Sequence, residues 1–188
     1  MDKGISDEDL MLSYRDGNQV AFETLYSRHK GGIYRFLLSK CKNNKNLAEE
    51  LHQDVWMKLI AAKDRYEVKA KFTTYLYQLA CNRFIDYYRR EKTSGQYFQS
   101  FDNCDTESIQ EQSRKQPEIQ AELQQQVEYL ADLLDKLPVE QRDAFILKEE
   151  SGLSIHEIAE VMSINPETAK SRLRYAVNKL QAGLKAYE

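Results

Sequence analysis

The chain has 188 residues, a formal net charge of −3, 41% hydrophobic and 30% charged residues, which is enough apolar content for a packed core under a well-solvated surface. Its longest apolar runs, Phe36 to Leu38 and Ala144 to Leu147, fall far short of the ~20 residues of a spanning helix, and the amino-terminal MDKGISDEDL lacks the apolar stretch of a secretory signal, so a cytoplasmic address is expected. Cys41, Cys81 and Cys104 are far apart and show no C-x-x-C spacing, which argues for reduced thiols and against a disulfide framework or zinc site.

With 7 Gly, 3 Pro and no alternating β-branched run, the pattern predicts an all-α fold. Ser6 followed by Asp9 reads as a helix start, and Gly17 as the left-handed residue that ends a short first helix. Asn18 caps the second, in which Phe22, Leu25, Tyr26, Ile33, Phe36 and Leu37 keep a helical period. Gly31 and Gly32 cost roughly 1 kcal/mol each against Ala inside a helix and mark the place for a kink or break. After the polar CKNNKN turn, Asn46 is expected to cap a third helix with Leu51, Val55, Trp56, Leu59 and Ile60 on its apolar face and acidic residues on the other. A fourth helix should run from near Lys71 to about Lys92.

From Thr93 to Gln116 the periodicity is lost and the composition turns polar, the mark of a linker. Two small helical domains are therefore predicted, 6–92 and 118–188, joined by a polar linker over 93–117. In the second, Ile119, Leu123, Val127, Leu130, Leu134 and Leu137 recur at helical steps up to Pro138. The next helix starts at Pro138 and stops near Gly152. Ser154 and Glu157 form the S-x-x-E capping box of another, and Asn165 with Pro166 opens the last, which runs towards Leu184.

Two helices joined by a turn of about three residues, Ser163 to Asn165, make a helix-turn-helix pattern. Ala169, Leu173, Ala176, Leu180 and Leu184 are spaced to face the core. Glu167, Lys170, Ser171, Arg174, Tyr175 and Asn178 then look outward, with Arg172 at the flank, and from Thr168 to Tyr187 there are five basic residues and no acidic one. A basic, well-capped helix of this kind suits a major groove, where Arg or Lys pairs with guanine edges and the remaining cations hold phosphates. The acidic net charge does not oppose this, because distant surface charges are screened beyond ~10 Å at 0.1 M salt.

The stretch Lys71 to Lys92 interleaves Tyr75, Tyr77, Tyr87 and Tyr88 with Arg83, Arg89, Arg90 and Lys92. Rings stack on unpaired bases at ~1 to 3 kcal/mol each while cations follow the backbone; the competing reading is a set of tyrosines that bury the ring and leave the hydroxyl wet. One unit fitted to duplex and one fitted to unpaired strand is what a protein that opens DNA at a chosen site requires.

These residues resemble bacterial sigma factors, specifically the small two-domain extracytoplasmic-function group. AFETLYSRHKGGIYRFL, AEELHQDVWMKLI and FTTYLYQLACNRFIDYYRR are similar to successive parts of the family's second region, and LPVEQRDAFILKEESGLSIHEIAEVMSINPETAKSRLRYAVNKL to its fourth. The resemblance implies a protein that binds core RNA polymerase and directs promoter-specific initiation, without being an enzyme and without a cofactor or metal. By it Glu49, Glu50, Gln53 and Asp54 would meet the polymerase clamp. Lys170, Ser171, Arg172, Arg174 and Tyr175 would contact the upstream promoter element. Phe72, Tyr75, Tyr77 and Asn82 would lie at the downstream element and opened strand, with Arg89 and Arg90 on phosphate, and Asp64 to Ala70 matches a loop that in some relatives holds a flipped base. Tyr75 stands where relatives commonly have Trp, Cys81 where a basic residue is frequent, and the Gly31-Gly32 pair is unusual in a helix the family keeps continuous. An anti-sigma partner wedged between the two domains is a further implication.

A free-standing helix-turn-helix regulator is the alternative; it accounts for Asn165 to Leu184 but leaves the aromatic helix and the acidic face without a role. A helical adaptor that binds no nucleic acid is the third. His29, His52 and His156 lie on separate helices with no triad or ligand spacing, so an enzyme is not expected.

Overall fold

The computed structural model describes residues 4–93, 125–126 and 129–186, and among these residues the secondary structure is helical throughout, with no strand. Ser6 starts α1 (Asp7–Arg15), its side chain accepting from the Asp9 amide, and Gly17 follows the helix at φ 107°. Asn18 caps α2 (Gln19–Lys40) through the Val20 amide. α3 (Lys45–Ala61) is capped by Asn44, not by the expected Asn46. The CKNNKN turn is tighter than its composition suggests: Lys42 and Asn43 both take positive φ, which brings the side-chain Oδ1 of Asn44 onto the Leu47 amide at 3.1 Å.

A single 3₁₀ turn (Lys63–Arg65) leads to α4 (Phe72–Thr93). The cap of α4 comes from far away in sequence: Glu8 on α1 accepts from the Phe72 amide at 2.6 Å. α1 is itself tied to α2, because Asp7 receives Arg28 and His29 at 2.7 Å each. Helices α1 to α4 pack on one another around Met11, Leu25, Phe36, Leu37, Leu51, Leu59, Phe72 and Leu76, all fully buried.

The second unit begins with a helical stretch over 125–126 and 129–135, here α5; Ile119, Leu123 and Val127, expected on its apolar face, lie outside the described residues. α6 (Val139–Ser151) follows Pro138 and ends at Gly152 in the left-handed conformation, φ 62°. The Ser154–Glu157 capping box opens α7 (Ile155–Met162), and Asn165 with Pro166 opens α8 (Pro166–Lys185), as their sequence signatures predict. α6, α7 and α8 pack together over Leu147, Ile158, Ala169 and Ala176. Leu184, expected in the core, is 43% exposed.

The two units are in contact: α6 lies on α2 and α7 on α4. Ala144, Leu147, Leu153, Ile158 and Val161 belong to the same buried cluster as Phe36, Leu76 and Tyr77, so one apolar core crosses from unit to unit. Cys41 and Cys81 are buried free thiols. Burial pushes them up to about 12 and about 11 respectively, which keeps both as neutral thiols; Cys104 lies outside the described residues.

The glycine pair does not break α2, which is continuous from Gln19 to Lys40. Gly32 instead makes room: a Cβ there would sit 2.7 Å from the hydroxyl of Tyr77, a ring only 2% exposed, whereas a Cβ on Gly31 would meet only the end of the Arg35 side chain at 3.2 Å. Gly32→Ala should therefore destabilise by about 1–3 kcal/mol through overpacking. Gly31→Ala should be neutral or stabilise by up to ~1 kcal/mol from helix propensity, and urea denaturation midpoints of the two variants separate these outcomes.

Candidate nucleic-acid interface

The α7–α8 turn is built by three local devices. Ser163 takes the left-handed conformation, φ 53°, while the Ile164 amide bonds back to the Ala159 carbonyl at 2.9 Å. Asn165 then accepts from the Thr168 amide at 2.8 Å, which sets where α8 starts. Ala169, Ala176 and Leu180 are buried and Leu173 half-buried. The opposite side carries Glu167, Lys170, Arg174, Tyr175 and Asn178, all exposed, with Ser171 and Arg172 half-buried at its edge.

Within this face Arg174 lies against the ring of Tyr175, 5.3 Å from its centroid, a contact that limits the freedom of the guanidinium. The Ser171 hydroxyl donates to the Glu167 carbonyl at 2.9 Å. Its proton is thereby engaged and its lone pairs remain to accept from a base amino group. The face holds two Arg, one Lys, a hydroxyl acceptor and an aromatic ring on one turn and a half of helix, a set suited to base edges and phosphates together.

α4 is sorted by packing into a covered side and an open one. Phe72 is 0% exposed, with its ring against His29 and Tyr66, and Tyr77 is 2% exposed, edge-on to Phe36 at 5.3 Å. These two rings, placed by the resemblance at the opened strand, are core side chains in this arrangement; neither has a free face on which a base could stack. The open side is a stripe at steps of three and four, namely Tyr75, Gln78, Asn82, Ile85 and Arg89. Asn82, Ile85, Arg89 and the neighbouring Arg90 are exposed, and Tyr75 and Gln78 half-buried. Tyr75, Asn82, Arg89 and Arg90 are thus brought to one side of the helix. Gln78 and Ile85 join them without having been singled out in the sequence, where neither stands out by type.

Tyr66, buried in the loop before α4, supports Tyr75 from below at 5.5 Å between ring centroids. Its own backbone is held by Arg15, which donates to the Tyr66 carbonyl at 3.4 Å. Burial pushes the Tyr66 hydroxyl up to about 12 and raises that of Tyr75 as well, so both rings stay neutral.

On α3, Glu49, Glu50 and Gln53 are exposed as expected of an acidic face. Asp54 is engaged: it accepts from Arg83 Nε at 2.8 Å and from Nη2 of the same residue, an ion pair that fastens α3 to α4. Met57, 64% exposed one turn further along, adds an apolar side chain to that face. The feature that would have found it is an i+4 step from Gln53 together with a residue type that does not belong in water. Among the described residues no group of His, Cys, Asp or Glu is placed to hold a metal ion, and no helix is long and apolar enough to cross a membrane.

Two family models match the chain, Sigma-70 region 2 over residues 25–93 and Sigma-70 region 4 over residues 128–180. RNA polymerase sigma factor CarQ of Myxococcus xanthus is 29% identical over 171 residues, which covers 91% of this chain and 93% of that protein. ECF RNA polymerase sigma factor SigM of Bacillus subtilis is 29% identical over 163 residues, covering 87% and 94%. Among solved structures, the sigma factor RpoE in complex with the anti-sigma factor NepR from Bartonella quintana superposes with a TM-score of 0.66 at 25% identity, covering 87% of this chain and 96% of that one. CnrH in complex with the cytosolic domain of CnrY gives the same TM-score at 22% identity, over 97% and 99% of the two chains, a likeness of fold.

The cap of α7 generates a pH prediction. Hydrogen bonds from Ser154 and the neighbouring Lys71 ammonium hold the Glu157 carboxyl down at about 2, below its ordinary 4.5. A depressed acid contributes its stability in full above the unfolded value and loses it as pH falls through the folded one. Wild type should therefore be more stable than Glu157→Gln at pH 7, and the gap should narrow as pH falls from about 4.5 towards 2, measured by urea denaturation across that range.

Proposed function

Since the chain belongs to the sigma-70 family of RNA polymerase sigma factors, in its extracytoplasmic-function branch, we propose that it binds core RNA polymerase and directs initiation at a two-part promoter. In this reading residues 6–92 form the domain that docks on polymerase and engages the downstream element, 93–117 the linker and 118–188 the domain that reads the upstream element. The observation that carries it is the presence, in one chain, of two nucleic-acid surfaces of different kinds. The α8 face is fitted to duplex, and the Tyr75–Asn82–Arg89 stripe with Arg90 is fitted to an opened strand.

Lys170, Arg172 and Arg174 supply the charge for the upstream element, with Ser171 and Tyr175 completing the contact. Strand opening is not bond-breaking chemistry, so the protein acts as a non-enzymatic specificity subunit in the cytoplasm, where polymerase works. The exposed α3 face of Glu49, Glu50, Gln53 and Met57 is the surface offered to polymerase; a solvent-facing methionine on a face with Gln53 and, two turns away, Glu50 offers an apolar contact beside polar ones. RpoE of Bartonella quintana and CnrH are seen with NepR and with the cytosolic domain of CnrY, and by analogy this chain is proposed to have an anti-sigma partner of its own.

The direct test combines core polymerase with and without the protein on a genomic DNA library and maps the start sites. New start sites preceded by a shared two-part motif establish the reading. Absence of any protein-dependent initiation, with active polymerase, sinks it in favour of a free-standing regulator. Arg174→Ala should cost about 1–3 kcal/mol and relax base preference at one upstream position if the side chain reads a base edge; an even loss across sequences would assign it to phosphate. Met57→Asp should weaken core polymerase binding by about tenfold or more while leaving the thermal midpoint unchanged, since the side chain contributes to no core.

A further inference from the structure

Helix α1 lies outside the residues that either family model matches, yet it grips the chain ahead of α4 with both its ends. Glu8, in its first turn, accepts from the Phe72 amide at 2.6 Å. At the other end Tyr14 presents its ring to the Lys63 ammonium, 5.2 Å from the centroid, and Arg15 donates to the Tyr66 carbonyl at 3.4 Å. The bonds that the loop makes with itself are short in range, the Tyr66 amide to the Lys63 carbonyl at 3.1 Å and the Lys69 amide to the Glu67 carbonyl at 3.0 Å. They close single turns and do not fix where the loop lies against α4. Its far end is tied by Lys71 to Glu157 at 3.0 Å, and its near end and middle are tied by α1.

That grip reaches Tyr75. Tyr66 is buried, with its ring 6.3 Å from that of Phe72 and 5.5 Å from that of Tyr75 between centroids. Its hydroxyl is buried too and makes no hydrogen bond, so packing and the bonded backbone set the angle of the ring. Tyr75 rests half-buried on it, at the head of the stripe that continues through Asn82 to Arg89. The energy of stacking on an aromatic ring depends on offset and tilt, and a binding group keeps its geometry only when the residues behind it are themselves locked.

We propose that Glu8 and Arg15 are positioning residues for the opened strand: through the Phe72 amide and through Tyr66 they hold the Tyr75 ring at the tilt at which an unpaired base stacks on it. The inference rests on the reading of the α4 stripe as the surface for that strand. It gives α1 a part in strand opening that is exerted through α4 and not through a contact of its own.

The test combines core polymerase with the full-length chain at a promoter found by the start-site mapping. Open complexes are read by permanganate reactivity of unpaired thymines, and thermal midpoints of the free proteins are measured alongside. Glu8→Ala is expected to lower open-complex formation about five- to tenfold, and Glu8→Gln, which keeps an oxygen for the Phe72 amide, to restore it. In a Tyr75→Ala background the same Glu8→Ala change should cost less than about twofold more, since the ring it positions is gone. Arg15→Ala should follow the same pattern from the other end of α1, and it carries the test if Glu8→Ala unfolds the chain. Losses that multiply with that of Tyr75→Ala overturn the proposal and leave Glu8 and Arg15 a purely structural role. A folded Glu8→Ala protein that opens DNA as wild type does overturns it as well. If wild-type holoenzyme opens no promoter, the sigma factor reading fails and the proposal with it.

Discussion

An ammonium and a carboxylate held almost out of water, Lys40 against Asp143, sit where the two halves of this protein meet. Lys40 Nζ also lies over the rings of Phe36 and Phe84, at 5.4 and 4.9 Å, so the charge is enclosed by aromatic faces and one acid. Burial pulls the Lys40 pKa down, but its neighbours, Asp143 foremost, outweigh that and the net shift is upward, which keeps the lysine charged. Such a pair adds little to stability compared with apolar packing, yet removing one member strands the other and costs about 3–5 kcal/mol. It therefore selects one docking position out of many, and the contacts of Arg142 with Ser39, Asn43 with Asp135 and Arg35 with Glu150 follow from that register.

That register decides what each helix has left to offer. α4 is laid between α2 on one side and α7 on the other, so its Phe72, Leu76, Tyr77 and Ala80 go to the core and the Tyr75–Arg89 stripe stays outside. α8 is held by α6 and α7 through its small residues Ala169 and Ala176, which allow close approach and leave the long cationic side chains facing away. The reading surfaces are thus by-products of core packing. The same side-chain periodicity that supplies the apolar contacts puts Lys170 and Arg174, or Asn82 and Arg89, on the solvent side.

Legibility followed the range of the interaction. Ser154 with Glu157, Asn165 with Pro166 and the left-handed Gly152 are read within three or four residues of chain, and all occupy the places their types announce. Asn44 displaced Asn46 as a cap because two consecutive left-handed residues tightened the turn, a choice that composition alone leaves open. Of the glycine pair in α2, which reads as a weakness, Gly32 is a clearance, since its reason lies on Tyr77 of another helix. Phe72 and Tyr77 are placed at the opened strand by the family resemblance, in a helix that carries more rings than one core can hold. Which rings were surplus depends on neighbours that arrive from α1, α2 and α6.

The sequence by itself determined the helices, most of their ends, the helix-turn-helix and the basic face it presents, and the membership in the sigma-70 family, because these rest on hydrogen bonds and side-chain periods that close within a turn or two. Only the tertiary structure decided that Glu8 caps α4, that Asp54 belongs to Arg83, and that the two units share a core behind a seam of ion pairs. Those contacts join residues 64, 29 and, for Lys40 with Asp143, 103 positions apart. Their formation depends on which faces dock in three dimensions, where the gain from burying apolar surface must outweigh the cost of taking charges out of water.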